Sequence, residues 1–525
     1  MDHEVKNMIA RLCINHYEQG LPKRGKPQAN REWTILAGIV QARPRHRPCR
    51  PNLPNPTRCI RQTQSVQQEL YKGLVYEVVA LGTGSKCVGR DKLSKSGDVI
   101  HDYHSEVVTR RAFLRYLYHQ IKKSILKEES IFCDINTNGE FQLKPDVTFH
   151  FFTSQTPCGD ASIFDTADSD SIQTTHDPMP NFERSNIEQS SCHKCLPLNC
   201  KFMEACTSTE CSNRLGDNCD ANVRSRKRKA SPVRCELKSA KICSSEVVSN
   251  TDEDQETTDE ISLTKEQCES IGFGENKRFE DHRTGAKCVP GDTQDPKDSS
   301  GYHAVGVLRL KPGRGSRSLS MSCSDKFAKW NILGCQGALL SHFLSHPIKF
   351  KSIVIGKCNF NEEAAKRALL KRIDGIHEKL SFAVHDSVSI YHSNVEFKHS
   401  KEYIVQNHIK ALGKMSPCGS AIVWSAVPDC PLEVSVKGIK QGVTTKDVDQ
   451  RNARCNICKS KLFETFKEIV ALIKSENLPN SLKSNTLNTY WDYKQACVKY
   501  QDSWKRFLEY FPTWIRTPIE YSQFS

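Results

Sequence analysis

The chain has 525 residues, with 75 Lys and Arg against 61 Asp and Glu, a formal net charge of +14, and only 37% hydrophobic and 8% aromatic residues. That length allows a large core, the low apolar share leaves part of the chain unpacked, and the positive balance suits a polyanionic partner. No run approaches the roughly 20 apolar residues of a membrane span, and the start Met1-Asp2-His3-Glu4-Val5-Lys6 is charged, so the 24 cysteines are expected as thiols in a reducing intracellular setting, nucleus or cytoplasm, with a few available to metal.

Val5, Met8, Ile9, Leu12 and Tyr17 recur at helical spacing and predict a helix over 4–18. Gly20 to Pro27 reads as a basic turn. Glu32 to Val40 is apolar and β-branched, a strand. Arg43 to Gln64 is rich in Pro and Arg, and proline cannot donate to a ladder, so it is expected as an excursion between paired strands, with 43–72 set apart as an insertion. The second strand, Leu74 to Leu81, ends in a glycine turn, Gly82-Thr83-Gly84-Ser85-Lys86-Cys87. Val107, Leu114 and Ile121, with Val108 and Leu117 beside them, form one face of a buried helix. Val147 to Ser154 is another strand.

Residues 165–282 are rich in Ser, Thr, Asp, Glu and Asn and are expected to be largely unpacked. They hold six cysteines from Cys192 to Cys219, starting with Cys192-His193-Lys194-Cys195, at irregular spacings that read as free thiols or a zinc knuckle, and a basic run from Arg224 to Lys229 that reads as an import signal, a nucleic-acid patch or a solvated face. Order returns near Arg283, with a helix from Cys323 to Leu344, a strand from Phe350 to Gly356, a helix from Glu362 to Ile373 and a hairpin of Ala421–Val427 with Leu432–Val436. Cys455-Asn456-Ile457-Cys458 opens a helix through Ile473, and a last helix runs from Thr489 to Tyr510. Cys418 and the Cys455/Cys458 pair lack further ligands in sequence and read as structural. Strands alternating with helices predict an α/β layer.

His104-Ser105-Glu106 has the form H-x-E, in which an imidazole binds zinc and a carboxylate two residues on moves protons. Pro157-Cys158 and Ser322-Cys323 offer two thiolates. One imidazole and two thiolates leave a fourth tetrahedral position open, as a catalytic zinc requires. Residues i and i+2 do not share a helix face, so His104 belongs at or before the first turn, where free N–H groups favour negative charge.

The blocks GTGSKCVG (82–89), HSEVVTRRAFLRYL (104–117), TPCGDASIF (156–164), RTGAKCVPG (283–291) and MSCSDKFAKWNILGCQGALLSHF (321–343) resemble the adenosine deaminases that act on RNA, above all the tRNA-specific branch that makes inosine beside the anticodon of alanine tRNA. The resemblance covers roughly 4–42, 73–164 and 283–525 and implies one catalytic domain over 1–525, with a cytidine-deaminase-like core at about 73–164 and 283–525 extended by C-terminal helices. Double-stranded-RNA-binding modules are not apparent and the catalytic segment starts almost at Met1, which favours tRNA over an editor of duplex mRNA. The remaining alternative is an inactive RNA-binding relative, against which Glu106 stands intact. Two departures are visible: Arg43–Gln64 is longer and more basic than the family suggests, and Ala161 stands where simpler zinc deaminases place a second cysteine.

By this resemblance His104, Cys158 and Cys323 hold one Zn²⁺, Glu106 is the proton shuttle, and Ser85 and Lys86 contact the sugar and phosphate of a flipped adenosine. The family also buries inositol hexakisphosphate. Candidates for its shell are Arg110, Arg111, Lys326, Lys329, Lys446, Lys483, Tyr490, Lys494 and Trp514, with Asp102 and Lys326 linking shell to zinc. His101 and Lys329 differ from the commoner family residues.

Overall fold

Seven consecutive residues of the strand Leu36–Pro44 are buried, so both faces of this strand must be covered by other elements. In the computed structural model the described residues are 3–45, 68–164, 289, 304–312, 317–384, 386–407, 415–443 and 451–525. They belong to a unit that joins 1–172 with 276–525. The excursion after Arg45, the insert at 165–282 with its cysteines and basic run, and Lys446 lie outside them.

The strands in chain order are β1 (Glu32–Trp33), β2 (Leu36–Pro44), β3 (Gln68–Tyr71), β4 (Leu74–Thr83), β5 (Ser85–Cys87), β6 (Asp102–His104), β7 (Thr148–Thr153), β8 (Ser352–Ile355), β9 (Ser389–His392), β10 (Ser416–Pro417), β11 (Ser420–Ser425), β12 (Leu432–Val436) and β13 (Ile439–Lys440). A nine-stranded mixed sheet runs β13-β12-β11-β4-β2-β7-β8-β9, with β3 also on β4. β2 pairs antiparallel with β4 and β7, while β7, β8 and β9 are mutually parallel. This mixed sheet with helices on both faces is the expected α/β class.

Helix α1 (His3–Asn15) covers one face, packing Met8, Ile9 and Leu12 with Leu36, Val40, Val78 and Leu81. Helix α2 (Ser105–Ile125) covers the other, packing Val108, Phe113 and Leu117 with Ala37, Ile39, Val79 and Phe149. Phe113 meets Phe149 edge-on at 4.8 Å. Truncating such a side chain to Ala costs about 3–5 kcal/mol. Gly82 lets α2 approach, since a Cβ there would lie 2.6 Å from Val108 Cγ1. Thr109 Oγ1 then donates to Ala37 O at 3.0 Å, which fixes α2 on β2.

Several boundaries differ from expectation. The first helix ends at Asn15 and continues as a π-turn through Gly20. The strand over 32–40 splits between Trp33 and Leu36. β2 reaches Arg43 and Pro44, opposite Val75 and Leu74, because a proline at a strand end forfeits little pairing. The helix expected from Cys323 to Leu344 breaks into α3 (Cys323–Leu333) and α4 (Ala338–Ser341). Gly334, at φ +75, supplies the left-handed step between them. The helix expected to Ile373, α5 (Glu362–Leu369), stops four residues early and yields to a 3₁₀ turn. After α6 (Lys401–Asn407) and α7 (Lys459–Leu472), the C-terminal helix divides at Cys497 into α8 (Tyr490–Ala496) and α9 (Val498–Tyr510). No helix among the described residues is long and apolar enough to cross a membrane.

Candidate metal centre and basic cavity

His104 closes β6 and is the N-cap of α2 in extended conformation, so it stands just before the first turn. Two short strands hold it there: Ser85 is its register partner across β5 and β6, and Ser105 N donates to Gly84 O at 2.9 Å. Cys158 follows β7. Cys323 is the first residue of α3, whose start is capped by Ser322 accepting from Asp325 N. Cys323 does not follow a strand of the sheet, contrary to the simple alternation expected from sequence.

Backbone contacts stitch the two cysteine loops together. Ser324 N donates to Cys158 O at 3.0 Å and Cys323 N to Cys158 Sγ at 3.4 Å. Gly159 permits this approach at φ +107, where a Cβ would lie 2.3 Å from Ser322 Oγ.

His104 Nδ1 lies 3.7 Å from Cys158 Sγ and 3.8 Å from Cys323 Sγ. All three ligand atoms lie within 4.8 Å of one another. Zinc bonds of about 2.1 Å to nitrogen and 2.3 Å to sulfur, at tetrahedral angles, imply edges of about 3.6 Å. The donor set and its spacing therefore fit zinc. Glu106, on the next residue but one, is buried, and Ser105 Oγ donates to its Oε2 at 3.1 Å. Ser85 Oγ is buried without a hydrogen-bond partner among the described residues.

A residue that sequence reasoning missed stands behind the triangle. Lys311 is fully buried, with its Nζ 3.1 Å from Cys323 Sγ and 3.0 Å from Asp102 Oδ2. Burial works against its charge, but Asp102 and Cys323 outweigh burial and hold the amine well above its ordinary value. Its only signal in sequence was a lysine ending the apolar alternation Leu308-Arg309-Leu310, too common a pattern to single out. Lys326 Nζ also contacts Asp102 Oδ2. Burial opposes ionisation of Asp102, yet the two lysines prevail and keep its carboxyl well below the usual range. The expected Asp102–Lys326 link is thus present, and Lys311 completes it as far as the sulfur of Cys323.

Beyond Asp102 opens a cavity of about 190 Å³ lined by His101, Arg110, Arg111, Lys326, Lys329 and Lys459, among others, with Asp102 the only acid in its lining among the described residues. Arg110 Nε donates to Cys335 O and Arg111 Nε to Ile457 O, both at 2.6 Å, so the backbone aims the guanidinium groups. Burial lowers Lys329 to about 7, helped by Arg110, Lys326 and Lys494. Lys459 falls to about 7 by burial with Lys494 and Arg111. His101 falls to about 4 by burial, Lys459 and Arg111. Such crowding is costly without an anion, so the residues fit a buried polyanion.

Of the remaining shell candidates, Tyr490, Lys494 and Trp514 are not among the lining residues; Lys494 sits 5.5 Å from the Tyr490 ring, and Lys329, which lines the cavity, sits 5.5 Å from the Trp514 ring. Lys483 is exposed and does not line the cavity, since a 3₁₀ turn over Asn480–Leu482 carries it outward. Lys459 was absent from the expected shell although it follows Cys458 directly. Only the tertiary fold, bringing the start of α7 against α2, puts it there.

Comparison with known proteins agrees with this geometry. The adenosine-deaminase (editase) domain matches residues 80–518. A tRNA-specific adenosine deaminase 1 from Mus musculus is 39% identical, over 98% of this chain and 99% of its own length. Its Homo sapiens counterpart is 37% identical over the same shares, and the Drosophila melanogaster one is 30% identical over 98% of this chain and 96% of its own. A histidine and two cysteines meeting beside a buried glutamate, within a domain match that spans most of the chain, have one explanation: this chain belongs to the adenosine-deaminase (editase) domain family.

Proposed function

We propose that this protein hydrolyses adenosine in tRNA to inosine and ammonia, at the adenosine 3′ of the anticodon, with alanine tRNA as substrate. The observation that carries the reading is the His104–Cys158–Cys323 triangle with Glu106 beside it. The full-length relatives named as tRNA-specific support tRNA over duplex RNA.

His104, Cys158 and Cys323 would hold zinc, which when bound makes a water acidic enough to act as a nucleophile near neutral pH. Glu106 accepts the proton of that water, delivers it to the ring nitrogen, and assists departure of ammonia from C6. Burial of Glu106 and the hydrogen bond from Ser105 hold its carboxylate in place. Ser85, with its unpartnered hydroxyl beside His104, and Lys86 next to it contact the sugar and phosphate of the flipped nucleotide. A tRNA loop lowers the cost of flipping, because its bases are less constrained than those of a duplex.

Inositol hexakisphosphate would occupy the basic cavity, held by Arg110, Arg111, Lys326, Lys329 and Lys459, where it offsets the burial that lowers Lys329 and Lys459. The free thiols among the described cysteines suit a reducing location, nucleus or cytoplasm.

The test is inosine formation on an alanine tRNA transcript, with long duplex RNA in parallel and Glu106→Ala as control. Inosine beside the anticodon, absent with the variant, is expected. Editing of the duplex alone would move the protein to the mRNA-editing branch. A zinc-loaded protein inactive on both would be an RNA-binding relative without catalysis.

A further inference from the structure

Strand β1 lies outside the large sheet and makes a two-residue parallel pair with β10, Glu32 with Ser416 and Trp33 with Pro417. Trp33 is only half-buried and belongs to none of the three apolar clusters. Among the described residues it is thus held by strand pairing and not by an apolar core, and its large apolar ring stays partly accessible.

Its position relative to the metal centre follows from one backbone hydrogen bond and one close approach of a side chain. Cys418 N donates to Trp33 O at 2.8 Å. A Cβ on Gly419 would stand 4.0 Å from Lys86 Nζ. Lys86 follows Ser85, the register partner of His104. Trp33 is thus linked to the metal-ligand histidine through Cys418–Gly419 and Ser85–Lys86.

The segment before Trp33 is basic. Lys23, Arg24 and Arg31 are exposed. Gly25, at φ +83, packs against Val434 and Ile422, and Arg24 Nε donates to Gln441 Oε1 at 2.8 Å, so β11, β12 and the residue after β13 pin this loop. Arg31 O accepts from Ser416 N at 3.1 Å. The acid in the strip, Glu32, accepts from Gln28 N at 3.1 Å.

We propose that Trp33 is a stacking platform for an unpaired base next to the deaminated adenosine, and that Arg31 and Arg24 take backbone phosphates of the same single strand. An aromatic face beside a basic track is the arrangement that binds single-stranded nucleic acid, because every base has a π-face and every linkage a phosphate. A duplex, whose bases are already stacked, cannot use it. The strip therefore selects a loop substrate. This inference rests on the deaminase reading above and adds residues to it.

The experiment measures initial rates of inosine formation on an anticodon stem–loop RNA across salt concentrations. It compares the zinc-loaded wild-type chain with Trp33→Leu, Trp33→Phe and Arg31→Ala. Leucine keeps apolar bulk and removes the π-face, so KM should rise at least about fivefold with kcat nearly unchanged, and Phe should restore most of the loss. Arg31→Ala, at an exposed position, should flatten the log KM against log salt slope by about 0.7. Wild-type activity with unchanged KM in Trp33→Leu and an unchanged slope in Arg31→Ala would overturn the platform and leave the deaminase reading intact. A wild-type chain inactive on every RNA would instead remove the parent reading. Should Trp33→Leu fail to fold, the salt slope of Arg31→Ala decides.

Discussion

Lys311 donates to the Sγ of Cys323 at 3.1 Å, from a fully buried position. A buried ammonium against a thiolate favours the deprotonated sulfur that a metal needs, and Asp102 on its other side keeps the amine charged. Replacing it by an isosteric apolar side chain, Lys311→Met, should weaken zinc binding about 10- to 100-fold, as for other residues that support metal ligands. Competition with a chromogenic chelator measures this. Wild-type affinity in the variant would show that the thiolate does not depend on the lysine.

Glu106→Gln keeps the shape of the buried side chain and removes its basicity. Deaminase activity should fall by about 10²–10⁴-fold, the usual contribution of a positioned proton-transfer group. Zinc should stay at one per chain by atomic absorption. Loss of zinc together with activity would make Glu106 a metal-site residue instead of a proton shuttle.

Gly159→Ala tests the junction of the two cysteine loops. The added Cβ would meet Ser322 Oγ at 2.3 Å and Ser322 Cβ at 2.5 Å, and φ +107 is itself unfavourable for alanine. Strain of about 1–3 kcal/mol should appear as a lower melting temperature, and the separated loops should bind zinc more weakly. An unchanged melting temperature and full zinc content would mean that the loops need no such close contact.

The basic cavity gives a pH signature with a definite sign. Lys329 and Lys459 titrate near 7 in the anion-free fold against an ordinary value of 10.5. Between these limits the unfolded chain binds more protons, so stability of the anion-free protein should rise with pH from about 7 toward 10.5 and be lowest below 7. A bound polyanion raises both amines and should flatten this dependence. Urea unfolding at several pH values, with and without inositol hexakisphosphate, reads the difference. The ligand should also be taken up with protons near pH 8, seen in calorimetry across buffers of different ionisation heats. Identical pH dependence with and without ligand would place the anion elsewhere.

The His104-x-Glu106 pair was legible in the chain because its chemistry is local, whereas Cys158 and Cys323 stand 165 residues apart and were joined to it through the family resemblance. The sheet was legible for the same reason, since β2, β4, β7 and β8 are short apolar runs between turn signals. Breaks inside helices were not, because Gly334 and Cys497 end helices whose apolar spacing runs on, and only packing decides where such a pattern stops.

What the sequence determined by itself is which groups can do chemistry and how the long elements begin. What only the tertiary structure decided is which charges meet. Asp102 meets Lys311 and Lys326 across 209 and 224 residues of chain, and Lys459 joins Arg111 across the α2–α7 contact. Electrostatic energy depends on distance through a low-dielectric interior, and distances between segments so far apart in the chain are fixed by packing, not by order along it.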